Sequence, residues 1–251
     1  MPARRQLSLF VHEDARAPWD ALRRNLDPVQ HRLIPAHVTL CRDEEPYPDA
    51  PEALAARLAA APALRLVFGP PEPFDGHGLR LPCVDGEAGF HALRAQALGT
   101  SSARRHQAHL TLAHPRNPHA SGNRPGAWAH VPSRTVLVFD AVQAIVQTEP
   151  DAPWKVQASI QLQPLPLAQL PNLGPRSQAM LAEAGLHTWS DLAQLGAVVA
   201  YARVRSTQPR ASLNLLWALE GALTGLRWQD VAREHRTSLL LALESVEQQR
   251  G

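Results

Sequence analysis

Hydrophobic residues in the first 163 positions follow two different periods, which alternate along the chain. Residues 6–12 show the two-residue period of a β-strand, with Leu7, Leu9 and Val11 on one face. Residues 87–98 show the longer period of a helix and stop at Gly99, a residue type common at helix ends. This mixture of strand-like and helix-like segments, joined by turns rich in Pro and Gly, predicts an α+β domain with antiparallel sheet.

The same two patterns predict the other elements of this half of the chain. Further strands are expected at 36–42, 64–68, 78–83, 108–113, 134–148 and 154–162, and further helices at 18–26 and 51–61. Segments 69–76 and 116–132 are rich in Pro, Gly, Asn and Ser, so we expect a turn and a long loop there.

After residue 163 the hydrophobic residues follow helical spacing almost throughout. Residues 164–170, Pro-Leu-Pro-Leu-Ala-Gln-Leu, are predicted to be a linker, because proline interrupts regular strand pairing. Helical periods follow at 172–184, 188–195, 197–205, 212–223 and 228–247. The predicted organisation is an α+β domain at 1–163, a linker at 164–170 and an all-α domain at 171–251.

Composition narrows the class of protein only slightly. The chain has 251 residues, of which 45% are hydrophobic, enough for a sizeable core, and its formal charge of +2 is too small to indicate nucleic-acid binding. Cys41 and Cys83 have neither metal-ligand spacing nor the spacing of a disulfide framework. We see no signal peptide and no apolar run of roughly 20 residues, so we expect a cytoplasmic protein without a membrane span.

One short string occurs twice in the α+β half. Residues 36–40 read Ala-His-Val-Thr-Leu and residues 108–112 read Ala-His-Leu-Thr-Leu. Random His-x-Thr triplets are expected about 0.4 times in a chain of this composition, so a bare triplet carries little weight. Two triplets with matching neighbours, both in predicted strands, are much harder to obtain by chance.

Strand geometry gives the repeated string a chemical meaning. Side chains alternate between the faces of a strand, so His37 and Thr39 share one face, as do His109 and Thr111. Side by side in a cleft, these residues supply two imidazoles for proton transfer near neutral pH and two hydroxyls that donate hydrogen bonds to phosphate oxygens. This chemistry needs no metal and no cofactor. The alternative is that both strings are ordinary polar strand faces, with threonine present for its strand propensity.

The paired strings resemble the 2H phosphoesterase superfamily, in particular its 2′-5′ RNA ligase or LigT-like branch. The resemblance covers roughly residues 1–163 and implies two pseudo-symmetric lobes, each an antiparallel sheet with flanking helices, around a cleft. It also implies metal-independent hydrolysis of 2′,3′-cyclic phosphodiesters or 2′-5′ linkages in nucleotides or RNA. By this resemblance His37 is the proton donor, His109 is the acceptor, and Thr39 and Thr111 hold the phosphate.

Other candidate residues lie near the two strings. Phe10, on the polar face of the first strand, is a candidate for base stacking, although core packing explains it equally well. Residues 104–106, Arg-Arg-His, form a basic cluster that either meets a nucleic-acid backbone or is a solvated turn. Strand alternation predicts that His114 points away from His109.

The helical tail resembles the C-terminal domain of TfoX-type competence regulators over about 75 residues. The resemblance includes Leu-Pro-Asn-Leu-Gly-Pro-Arg-Ser at 170–177 and Leu-Ala-Glu-Ala-Gly-Leu-His-Thr at 181–188. The first part is similar to a helix–hairpin–helix unit, whose helix N-terminus can present backbone N–H groups to a phosphate. The sequence leaves nucleic acid and protein equally open as the partner of this domain.

The leading functional hypothesis is a metal-independent cyclic phosphodiesterase with a nucleotide or RNA substrate, joined to a helical binding domain. Two alternatives stay open at this point. One is a non-catalytic RNA- or nucleotide-binding regulatory protein that uses the same cleft, and the other is an RNA 2′-5′ ligase running the reverse reaction. The oligomeric state and the physiological substrate are not determined by the sequence.

Overall fold

In the computed structural model, the chain forms two compact units, one up to Gln163 and the other from Pro164. The structure describes residues 3–100, 104–124 and 126–249. The first unit combines strands and helices, and the second is entirely helical apart from short connections.

Strands and helices of the first unit follow the predicted order, with two additions. The strands are β1 Arg4–Phe10, β2 His37–Cys41, β3 Leu64–Phe68, β4 Glu72–Pro73, β5 Leu79–Asp85, β6 His109–Ala113, β7 Thr135–Phe139, β8 Ala141–Gln147 and β9 Lys155–Gln161. The helices are α1 Glu13–Leu26, α2 Pro28–Leu33, α3 Pro51–Leu58 and α4 Glu87–Leu98. The short elements α2 and β4 were missed, because neither is long enough to show a hydrophobic period.

Two antiparallel sheets make up the framework of this unit. One has the strand order β2-β1-β8-β9, and the other has the order β4-β5-β3-β7 with β6 paired to β5. Each repeated string therefore lies on an outer strand: β2 pairs with β1, and β6 pairs with β5. The predicted α+β class, with antiparallel sheets and flanking helices, is confirmed.

The segment predicted as one strand at 134–148 is two strands in different sheets. β7 pairs with β3 in the second sheet, whereas β8 pairs with β1 in the first. Only Asp140 separates them, so the chain crosses between sheets within one residue. Both strands have the same two-residue period, and for this reason the sequence pattern did not reveal the crossing.

The second unit contains five helices among its described residues. They are α5 Pro175–Glu183, α6 Trp189–Thr207, α7 Leu213–Thr224, α8 Trp228–Glu234 and α9 Arg236–Gln248. Thr188 caps α6: its hydroxyl accepts the backbone N–H of Asp191, and the Asp191 carboxylate accepts the N–H of Thr188. Gly196, with φ of 73°, interrupts α6 and explains the two separate helical periods predicted there.

The predicted linker at 164–170 is not a free connection, because it packs into the helical unit. Leu165, Leu167 and Leu170 are all buried, and residues Leu167–Gln169 form one turn of 3-10 helix. The backbone N–H of Trp189 also donates to the Leu165 carbonyl. Proline does prevent a strand here, but the leucines between the prolines supply apolar surface that the helices bury. In the part of the chain that the structure describes, every helix is too short or too polar to span a membrane.

Candidate active site

The two repeated strings adopt the strand geometry that the sequence predicts. Val38, Leu40, Leu110 and Leu112 are at most 1% exposed, so one face of each strand belongs to the core. The histidine and threonine of each string lie on the opposite face and keep partial solvent access. Each string thus presents an imidazole and a hydroxyl two residues apart, at the outer edge of its sheet.

Strands β2 and β6 contact each other, so the two polar faces meet. A cavity of about 640 Å³ lies at this junction and is lined by His37, Thr39, His109 and Thr111 together. The structure therefore brings all four predicted groups to one cavity, although the two strings lie 72 residues apart in the sequence. Its walls also include Gln6, whose amide donates to the Thr39 hydroxyl over 3.1 Å.

The two imidazoles are oriented by the same backbone device. His37 Nδ1 lies 2.8 Å from the Pro35 carbonyl oxygen, and His109 Nδ1 lies 2.9 Å from the Gln107 carbonyl oxygen. A carbonyl oxygen only accepts hydrogen bonds, so in both rings Nδ1 carries the proton and donates. In the neutral ring this leaves Nε2 as the free acceptor. In both strings, the carbonyl two residues before the histidine fixes its tautomer.

Burial makes both rings reluctant to hold a second proton. Desolvation, reinforced by the charge of Arg23, lowers the pKa of His37 to about 3. Desolvation also lowers the pKa of His109, and the charges of Arg80 and Arg42 act in the same direction. Both imidazoles are consequently neutral at pH 7 in the free protein. A negatively charged ligand between them raises both pKa values, because it stabilises the protonated form.

Two further histidines, His106 and His114, line the cavity. His114 was predicted to point away from His109, but β6 ends at Ala113, so strand alternation no longer applies to the next residue. His106 packs edge-on against Phe90, with ring centroids 5.4 Å apart, rather than lying in a solvated turn. Desolvation is the main cause that lowers the pKa of each of these two residues to about 4.

The lowered pKa values of His37, His106 and His114 predict that acid destabilises the first unit. Their pKa values lie below the unfolded value of 6.5, so the contribution is fully present above pH 6.5 and is lost as pH falls toward the folded values of about 4 and about 3. As the pH falls through that window, each group lowers the free energy of unfolding by up to about 1.4 kcal/mol per pH unit. Urea titrations at pH 7.5, 6 and 5 should show this decline. His106→Gln should reduce the slope, whereas His130→Gln, at an exposed position, should keep it; equal stability at all three pH values would contradict the assignment.

Phe10, the candidate for base stacking, lies beside His37 but outside the cavity lining. It pairs with His37 across β1 and β2, with ring centroids 6.3 Å apart, and it is not among the cavity-lining residues. Phe74 lines the cavity instead, with its ring edge-on to His109 at a centroid distance of 4.8 Å. The hairpin after Phe74 turns through Gly76, with φ of 78°. The sequence showed only a Pro- and Gly-rich turn here, so Phe74 was missed.

A buried arginine connects β2 to the segment that leads into β6. Arg94 on α4 is 1% exposed; its guanidinium donates to the Leu40 carbonyl beside Thr39 and pairs with the Glu45 carboxylate. The same guanidinium donates to the Arg104 carbonyl over 3.1 Å, on the segment that leads into the second motif. One side chain therefore holds the backbone of the first string and of the segment that precedes the second. Its role was invisible in the sequence, because an arginine in a helix is normally read as exposed.

Two imidazoles with free Nε2 atoms and two hydroxyls in one cavity define a site suited to proton transfer around an anionic centre. Among residues 3–100, 104–124 and 126–249, no group of three or more His, Cys, Asp or Glu side chains is arranged to hold a metal ion.

Comparisons with known proteins match the two units separately. Residues 164–243 match the family model of the TfoX C-terminal domain. An uncharacterized protein from Listeria monocytogenes has 30% sequence identity over 33% of this chain and 93% of its own, with a TM-score of 0.30. No curated protein matches the chain.

Solved structures similar to a larger part of the chain include LigT from E. coli. Its complex with ATP has 12% identity and a TM-score of 0.45, covering 65% of this chain and 99% of LigT. A structure described as a phosphoesterase has 10% identity and a TM-score of 0.41, covering 64% of this chain and 99% of that one. The TfoX C-terminal resemblance identified in the sequence recurs in the family match, and LigT and a phosphoesterase are among the similar structures.

Proposed function

We propose that the first unit is a metal-independent cyclic phosphodiesterase that acts on 2′,3′-cyclic phosphates or 2′-5′ linkages of nucleotides or RNA. The observation that carries the proposal is the matched pair of imidazoles. His37 and His109 share one cavity, and each has its Nδ1 engaged by a backbone carbonyl and its Nε2 free. A pair of proton-transfer groups with the same orientation suits a reaction that takes one proton and returns another.

In this mechanism a water molecule attacks the phosphorus atom of the cyclic phosphate. One imidazole takes the proton of the water, the other gives a proton to the leaving ribose oxygen, and the P–O bond to that oxygen breaks. Thr39 and Thr111 donate hydrogen bonds to the non-bridging oxygens as negative charge builds up on them. The resemblance assigns His109 as acceptor and His37 as donor. Since the pKa of free His37 is about 3, donation depends on the bound phosphate raising it.

We assign the helical unit to binding rather than catalysis. It contains a cavity of about 720 Å³ whose lining includes Arg176, Arg210 and Ser212. Positive side chains beside the start of a helix suit an anionic partner. Nucleic acid and protein remain the two candidate partners, as in the sequence interpretation.

The proposal predicts turnover of 2′,3′-cyclic nucleotides by the purified full chain in excess chelator. Hydrolysis of a 2′,3′-cyclic nucleotide and of a 2′-5′ dinucleotide should proceed at the same rate with and without chelator. A metal-dependent phosphodiesterase assayed in parallel verifies that the chelator is effective. Tight nucleotide binding without turnover on any substrate of the panel would contradict catalysis and favour the non-catalytic binding function.

A further inference from the structure

A group of arginines lines the cavity near His37, and a further lining arginine, Arg42, acts on His109 instead. Arg4, Arg23 and Arg116 all line it, together with His114. The positive charges of all three arginines lower the pKa of His114, and Arg23 and His114 in turn lower the pKa of His37. We call Arg4, Arg23 and Arg116 the arginine cluster.

The structure holds two members of the arginine cluster in place. Arg23 is only 3% exposed, and its guanidinium donates to the Ile34 carbonyl over 2.6 Å. Arg4 donates to the Gln147 side chain over 3.1 Å, and its guanidinium carbon lies 5.3 Å from the centre of the Trp154 ring. These guanidinium groups are therefore preorganised rather than free to turn into solvent.

Nearby carboxylates offset the arginine cluster only from a distance: the charges of Asp20 and Asp27 raise the pKa of Arg23, and that of Asp43 raises the pKa of Arg116, without a close ion pair. Asp27 is the buried acid on this side, and its two oxygens already accept from the His114 backbone N–H and the Asn117 amide. Arg4 makes one long ion pair, 3.9 Å to Asp43. In the part of the chain that the structure describes, no carboxylate lies within 4.0 Å of a guanidinium nitrogen of Arg23 or Arg116.

Positive charges brought together without partners repel one another, and a bound anion relieves that repulsion. At Arg116, burial and the charge of Arg4 lower the pKa, and the charge of Asp43 opposes them only in part. The carboxylates that line the cavity, Glu44, Asp75 and Asp151, make no ion pair with Arg23 or Arg116. The reacting phosphodiester carries one negative charge and is already served by the two histidines and two threonines. Three guanidinium groups exceed what that single charge requires.

We propose that the arginine cluster binds a second phosphate group of the substrate. The preferred substrate is then a nucleotide or RNA end that carries another phosphate near the reacting cyclic phosphate, not a bare cyclic mononucleotide. This inference rests on the proposed function and narrows its substrate class. Both a 5′-terminal phosphate and an internucleotide phosphodiester have the required chemistry, because guanidinium groups bind phosphate oxygens in either.

The test compares three substrates: uridine 2′,3′-cyclic phosphate, its 5′-phosphorylated form, and a uridine dinucleotide ending in the cyclic phosphate. Wild-type kcat/KM should be about 10- to 100-fold higher when a second phosphate is present, the size of one hydrogen bond to a charged group. Arg116→Gln and Arg4→Gln should each reduce that preference, mainly through KM. A preference for the 5′-phosphorylated nucleotide would identify a 5′-terminal phosphate as the second group. A preference for the dinucleotide would identify an internucleotide phosphate.

Arg24→Gln, which removes an exposed arginine outside the cavity, is the matched control and should keep the wild-type preference. Equal wild-type kcat/KM on the three substrates would overturn the inference. So would an equal decrease of kcat/KM on all three substrates in both Arg116→Gln and Arg4→Gln. Calorimetric binding of uridine 3′-monophosphate and uridine 3′,5′-bisphosphate separates it from the proposed function. If no substrate is turned over but the bisphosphate binds more tightly and Arg116→Gln removes that advantage, only the proposed function fails; equal binding overturns the inference.

Discussion

His37→Ala and His109→Ala should each lower kcat for a 2′,3′-cyclic nucleotide by roughly 10²- to 10⁴-fold, the usual contribution of one general acid or base. Each substitution removes the only imidazole that its string places in the cavity, and both rings are fixed by a carbonyl at Nδ1. Because the two rings act on the same transition state, the double variant should be little worse than either single variant.

The pH dependence of the wild-type reaction should carry the signature of the same pair. Since burial lowers the pKa values of both free histidines, the descending limb of kcat/KM should lie below pH 6.5, the ordinary pKa of histidine. The optimum of kcat should lie at higher pH, because bound phosphate stabilises the imidazolium. Each single alanine variant should lose one limb of the bell-shaped profile.

His130→Ala is the control for these two variants, since His130 is exposed and outside the cavity, and it should keep wild-type kcat and KM. Circular dichroism and thermal unfolding should show that the two cavity variants remain folded. Full activity in either His37→Ala or His109→Ala would exclude the two-histidine mechanism.

Arg94→Met should lower the free energy of unfolding of the first unit by about 3–5 kcal/mol, the range for breaking one side of a buried ion pair. The substitution leaves the Glu45 carboxylate, whose side chain is 17% exposed, without its cation, and it removes donors from the Leu40 and Arg104 carbonyls. Urea denaturation followed by circular dichroism measures the loss. Activity should fall as well, since β2 and the segment that leads into β6 lose a shared contact.

Two further variants test the cause of that loss. Arg94→Met combined with Glu45→Leu should recover part of the stability, because no charge is then left buried without a partner. Arg24→Met removes an exposed arginine and should change the free energy of unfolding by about 0.5 kcal/mol or less. A loss below about 1 kcal/mol in Arg94→Met would show that the ion pair does not support the site.

Predictions from the sequence succeeded where one element showed its hydrophobic period over many residues. They failed where an element was too short to show a period, or where two adjacent elements had the same period. The helix at Glu87–Leu98 was predicted to the residue, because its period, its glycine end and its length agree. The helix predicted at 228–247 is two helices that meet at His235, a break with no proline or glycine to mark it. The crossing at Asp140 was likewise hidden, since strands of different sheets look alike in sequence.

The candidate site was only half visible in the sequence. His37, Thr39, His109 and Thr111 were found because a repeated string and a two-residue period are local features. Phe74, His106 and His114 were missed or misplaced, since each lies outside a strand, where no periodic rule fixes the side-chain direction. Arg94 and the arginine cluster reach the site from elements that are distant in the chain, and only the packing of α1, α4 and β1 shows this.

The sequence by itself determined the α+β and helical halves, the two motif strands and the polar face of each, because these depend on neighbours one to four residues apart. The tertiary structure alone decided that β2 and β6 meet, which arginines surround the cavity and that residues 164–170 belong to the helical unit. The physical reason is that burial and charge are properties of the packed molecule. A histidine in a strand pattern is only a polar residue until desolvation and neighbouring guanidinium groups set its pKa.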